Sequence, residues 1–138
     1  MISVRNKISM INHEDIRAGN QVLFKASGAT ITILKVESNK ILLDTFPQSS
    51  YCSNNDISGV PLTKPMLRRL CFDNSEESTT WSGQGIKIHE KPDGIFYGLR
   101  IVKTRAKMEY LHQLQNYLTD FYALFREEHR SLDLSECN

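Results

Sequence analysis

From Lys107 onward the chain changes its rhythm. Leu111, Leu114, Leu118, Phe121 and Phe125 recur at intervals of three, four, three and four, and Met108 and Tyr122 widen the stripe. This spacing puts them on one face of an α-helix of about 20 residues, about 30 Å long, whose apolar ridge must be covered. Upstream the apolar period is two, the period of strands. The ridge therefore predicts an α+β fold in which the long C-terminal helix lies across the chain's own sheet. Two heptads of such spacing are too few for a sustained coiled coil.

The strands can be placed from the same pattern. After Ala18-Gly19-Asn20, Val22 and Phe24 share a parity, and Ser27-Gly28 ends the run. Ile31 and Ile33 alternate with Thr30 and Thr32, but Leu34 and Val36 move the apolar residues to the other parity, which predicts a bulge or a strand buried on both faces. Glu37–Lys40 reads as a turn into Ile41–Phe46, completing a β-meander whose order is similar to that of small SH3-like barrels. Residues 47–58 read as a polar connection. Thr63 suits an N-cap and Pro65 a first turn, so a short helix is expected over about Lys64–Cys71. Residues 73–80 read as a loop, with Trp81 alone in Ser/Gly surroundings. Ile86 and Ile88 oppose Lys87 and His89, and Lys91-Pro92-Asp93-Gly94 supplies turn chemistry. A β-hairpin of 86–90 against 95–102 follows. The layout is an N-terminal arm over 1–14, one domain over 15–130, and a tail over 131–138 that frays.

Charge narrows the function classes. Seventeen basic and sixteen acidic residues in 138 leave a net +1, so no global field announces nucleic acid or an anionic membrane. No stretch approaches eighteen apolar residues, and the first residues contain no continuous apolar core of a signal peptide. Three cysteines form no short-spaced framework, which predicts reduced thiols and a cytoplasmic setting.

Candidate chemistry is sparse. His112, Gln115 and Asn116 share one flank of the long helix, where they read as structural polar groups that fix its rotation through hydrogen bonds already supplied. His13, His89, His112 and His129 are scattered, so no metal is expected, and Gly83-Gln84-Gly85 lacks the third glycine of a dinucleotide fingerprint. No cofactor is implied. Cys71 reads as a small hydrophobe on the short helix, and a Cys71–His112 couple is the one enzymatic alternative. Arg100, Lys103, Arg105 and Lys107 fall within eight residues with no acid among them, and Lys64, Arg68 and Arg69 decorate the short helix. Arg68, Arg69, Arg100, Lys103, Arg105 and Lys107 are thus candidate binding residues. The expectation is a non-enzymatic binding or adaptor protein acting on another protein. A nucleic-acid module using the basic run is the alternative, and an exposed sheet edge offers a route to a homodimer.

Three stretches, IRAGNQV (16–22), NNDISGVPLTKPMLRRLCF (54–72) and MEYLHQLQNYLTDFYALF (108–125), carry a further signal. They resemble a family of small uncharacterised bacterial proteins of prophages and mobile elements. That family has a GN-x-V start, an I-P-L-T-x-x-W-L-x-x-F-G-F centre and a C-terminal E-Y-V-H-Q-L-Q-N helix. The matching residues are Gly19, Asn20 and Val22; Val60, Pro61, Leu62, Thr63, Leu67 and Phe72; and Glu109, Tyr110, His112, Gln113, Leu114, Gln115 and Asn116. Met66 stands at the Trp position, and Cys71 replaces the glycine of the F-G-F turn. The resemblance implies a small cytoplasmic or phage-borne α+β protein and brings no activity with it.

Overall fold

The computed structural model describes residues 11–45, 47–74, 78–99 and 107–135. It has the α+β composition expected, with small antiparallel strands and a long C-terminal helix. The contacts gather into two compact units, Met1–Val60 and Pro61–Asn138, where the sequence suggests one domain over 15–130.

The N-terminal unit is a curled, small-barrel-like antiparallel sheet of β1 (Gln21–Phe24), β2 (Ala29–Val36), β3 (Ile41–Leu43), β4 (Ser50–Cys52) and β5 (Ile57–Gly59), in the order β4-β3-β2-β1-β5. The parity change in β2 is a real irregularity: the β2–β3 register shifts between Ile33 and Lys35. An extra residue lets Ile33 face a core of Ile11, Ile16, Val22, Ile41, Leu43 and Ile57 while Leu34 turns outward. The connection over 47–58 is more structured than its polar composition suggests. It holds β4, β5 and a 3-10 turn over Asn54–Asp56, where the Ser53 hydroxyl and the Asp56 carboxylate cap each other's backbone. Residues 11–14 are not a loose arm: Ile11 is buried, the Asn54 amide donates to the Ile11 carbonyl at 2.6 Å, and the His13 ring bonds the Glu37 carbonyl at 3.0 Å.

The C-terminal unit contains α1 (Lys64–Arg69), β6 (Thr80–Gly83), β7 (Ile86–Glu90), β8 (Phe96–Tyr97), β9 (Lys107–Met108) and α2 (Leu111–Phe125); its antiparallel sheet runs β6-β7-β8-β9. β6 corrects the expectation of a loop around Trp81. The indole is fully buried, edge-on to Phe96 with centroids 6.3 Å apart. Gln84 (φ 48°) and Gly85 (φ 85°) form the tight turn into β7, both in the left-handed region that such hairpins require. The β7–β8 hairpin is present, with Glu90 opposite Phe96 and His89 opposite Tyr97, but β8 ends at Tyr97 and Arg100–Val102 lie outside the described residues.

Thr63 caps α1 through its hydroxyl, which accepts from the Met66 N–H at 3.3 Å. The helix ends at Arg69, two residues sooner than expected, because Cys71 turns into the left-handed region at φ 70°. Two expectations for Cys71 are corrected. It is exposed rather than facing inward, and it is disulfide-bonded rather than a reduced thiol.

The long helix starts where Gln113 reaches back, its Oε1 accepting from the Glu109 and Tyr110 N–H groups at 2.7 and 3.0 Å. Leu111, Leu114 and Leu118 are buried as the ridge predicts, and so is Tyr122. Phe121 is only half-buried and Phe125 is 50% exposed, so the ridge leaves the core in its last two turns. His112, Gln115, Asn116 and Tyr117 are buried as well, so the first two turns are covered around most of their circumference. The Tyr122 hydroxyl donates to the Gln84 carbonyl at 3.0 Å, tying α2 to the β6–β7 turn. The described part of the tail, up to Ser135, is held too. Leu132 is buried, and Asp133 exchanges two hydrogen bonds with the Gln84 side chain, at 2.8 and 3.0 Å.

Candidate functional site

The strand end after β8 approaches α2 so closely that no side chain fits between them. A Cβ on Gly98 would lie 2.5 Å from the Tyr117 ring. Tyr117 is buried and hydrogen-bonded to the Leu99 backbone; burial pushes its phenol up, and the bond to Leu99 opposes that shift. With its backbone anchored in this way, Leu99 turns its side chain outward and is 61% exposed. Beside it the α2 aromatics form a row, Tyr117 to Phe121 at 6.2 Å and Phe121 to Phe125 at 5.0 Å between ring centroids. Leu99, Phe121, Tyr117 and Ile86 thus line an open groove of about 560 Å³. Lys87 and His89, both exposed on the outward face of β7, edge it, and among the described residues no carboxylate lines it. An exposed apolar surface rimmed by polar residues is the usual mark of a contact site.

A second concavity of about 450 Å³ opens on another part of the unit. Lys64 and Arg68, one turn apart on α1, meet Glu90 and Lys91 at the end of β7, with Asn74, Ser78 and Thr79 completing the wall. Glu90 takes Lys64 at 3.2 Å and the Trp81 indole N–H at 3.4 Å. The Arg68 guanidinium lies over the Trp81 ring at 5.2 Å, and the Lys91 ammonium lies over the Tyr97 ring at 5.2 Å.

No protein-family model, curated protein or solved structure matches this chain.

The expected binding residues separate. Arg68 joins the second concavity; Arg69 is exposed and does not line it. Lys107 is 3.7 Å from Glu109, and Arg100, Lys103 and Arg105 lie outside the described residues. Gln115 and Asn116 are buried and partnered. His112 departs from the expectation of a ready partner. Its ring is 2% exposed and stacked on Tyr110 at 5.8 Å and 10°, yet its Nδ1 has no hydrogen-bond partner among the described residues. Burial lowers its pKa to about 4, so the imidazole is neutral. Burial raises the neighbouring Tyr110 phenol, as does the Glu109 charge. Among the described residues no group of three or more His, Cys, Asp or Glu side chains is placed to hold a metal ion.

Leu99 and Lys91 escaped the sequence reading. The expected strand over 95–102 includes Leu99, and nothing in the sequence marks its side chain as open. In the sequence Lys91 reads only as a turn residue. The spacing of Lys64 and Arg68 was legible, but the strand end that they face was not.

Proposed function

We propose that this chain is a non-enzymatic protein-binding module, of the bacterial or phage setting that the resemblance implies. Its contact surface is the groove lined by Leu99, Tyr117 and Phe121, continued by the exposed Phe125 ring packed on Phe121, which seats a bulky apolar side chain from an acidic stretch of a partner polypeptide. The observation that carries this reading is an exposed Leu99 and a half-buried Phe121 in one concavity, with the exposed Phe125 packed on Phe121. Water leaves apolar surface at a gain of about 25 cal/mol per Å², so such a groove favours an apolar occupant. Lys87 and His89 at its edge, with no lining carboxylate among the described residues, favour acidic flanks on that occupant. The enzymatic alternative has less support, because Cys71 is held in a disulfide and offers no thiolate in this state. So has nucleic-acid binding: Trp81 is buried beneath Arg68, and Lys107 sits beside Glu109.

No helix among the described residues is long and apolar enough to cross a membrane. The Cys71 disulfide weighs against a cytoplasmic setting, since such bonds persist in oxidising compartments.

Selection from a random peptide library tests the proposal. Wild-type protein enriches peptides with Phe, Leu or Trp flanked by Asp or Glu, and the L99S/F125S variant loses them. Enrichment of basic or purely polar peptides refutes it, as does undiminished binding by that variant. Leu99-dependent self-association in the analytical ultracentrifuge replaces the foreign partner with a second copy of the chain and also refutes it.

A further inference from the structure

The second concavity shows a different chemistry. We propose that Lys64, Arg68 and Lys91 form a phosphate-recognition pocket that takes the dianionic head of a phosphomonoester. Of its three cations, Lys64 is matched by Glu90 at 3.2 Å, and that carboxylate also accepts from the Trp81 indole. Among the described residues no carboxylate pairs with Arg68 or Lys91. Both are held against aromatic faces, Arg68 on Trp81 and Lys91 on Tyr97. A ring beneath a cation limits its rotamers without using its N–H donors, so both groups remain available to an anion.

The lining also includes neutral donors. The Ser78 hydroxyl oxygen accepts from the Thr80 N–H at 3.0 Å, which leaves the hydroxyl proton free to donate, and Thr79 lines the same hollow. A guanidinium, an ammonium and a hydroxyl around one hollow suit a tetrahedral oxyanion better than a planar carboxylate, because three acceptor oxygens can each find a donor. The shape favours a small head group over a polynucleotide. Base stacking needs a free aromatic face, whereas Trp81 is fully buried and Tyr97 carries Lys91. Ser75–Glu77, between the two lining segments, lie outside the described residues.

Calorimetric titration at low salt with glycerol phosphate, with a phosphoserine peptide and with its unphosphorylated and aspartate counterparts tests this. One saturable site is expected for both phosphomonoesters, at least tenfold tighter than for the aspartate peptide and weakened by added salt. Arg68→Gln or Lys91→Gln lowers the affinity at least tenfold, while Lys25→Gln in the N-terminal unit leaves it unchanged; circular dichroism melts establish that each variant folds. Preference for one of the two phosphomonoesters identifies the source, a free metabolite or a modified protein, with the site intact. Absence of saturation by about 10 mM overturns the proposal, as does binding that survives Arg68→Gln/Lys91→Gln. Affinity that rises with oligonucleotide length overturns it in favour of a polyanion surface.

Discussion

A shift from pH 7 to pH 5 protonates His112 in the unfolded chain but not in the folded one. Its folded pKa is about 4 against an ordinary 6.5, and the cause is burial beside Tyr110 with Nδ1 unpartnered. The unfolded state then binds more protons, so stability is full above pH 6.5 and falls as the pH drops toward 4. A gap of this size corresponds to about 3 kcal/mol when fully expressed, and about 2 kcal/mol of it is lost by pH 5, before ordinary carboxylates titrate extensively. Urea unfolding read by fluorescence measures the loss. Trp81 is the single tryptophan, is fully buried, and belongs to the same compact unit as His112. With a slope of about 1 kcal/mol per molar urea for a unit of this size, the midpoint drops by about 2 M. His112→Phe, which keeps the stacking and removes the titration, flattens the dependence between pH 7 and 5, and His112→Gln does the same if the Phe variant unfolds. Equal pH slopes for wild type and a folded variant would refute the argument that His112 is held neutral.

Gly83→Ala destabilises the C-terminal unit by about 2 kcal/mol. Its Cβ would meet the Phe72 ring at 2.7 Å and the backbone of Cys71 and Phe72 at 2.8–2.9 Å, atoms that cannot yield cheaply. A thermal melt indistinguishable from wild type would contradict the close approach. Maleimide labelling of the unreduced, unfolded chain modifies Cys52 and spares Cys71 until a reductant is added; immediate labelling of Cys71 shows that it is a free thiol.

Long periodic signals were the legible ones. The three meander strands, the bulge in β2, the β7–β8 hairpin and the long helix all follow from apolar spacing that one buried face imposes. β4, β5, β6 and β9 were missed for a shared physical reason: each has two to four residues and few apolar side chains, so its backbone pairing leaves little trace in composition. Met108, expected on the helical stripe, lies in β9 ahead of a helix of 15 residues rather than about 20. The rotation of α2 was legible for its first two turns. Phe121 and Phe125 follow the same spacing as Leu111 and Leu118, and only the position of neighbouring elements decides that they stay partly open. Both concavities join residues far apart in the chain, Lys64 with Lys91 and Ile86 with Phe121, and spacing along the sequence does not encode such meetings.

Gln84 lies at the tip of a two-residue turn, yet three distant segments end on it: the Leu70 carbonyl, the Tyr122 hydroxyl and the backbone of Asp133. The last of these arrives 49 residues later. During synthesis the tip of the β6–β7 hairpin therefore waits, half its bonds unmade, until residue 133 has been added and has cleared the ribosome. For this unit the clasp closes only once residue 133 has emerged, and a nascent chain stalled short of that point presents an unclasped hairpin.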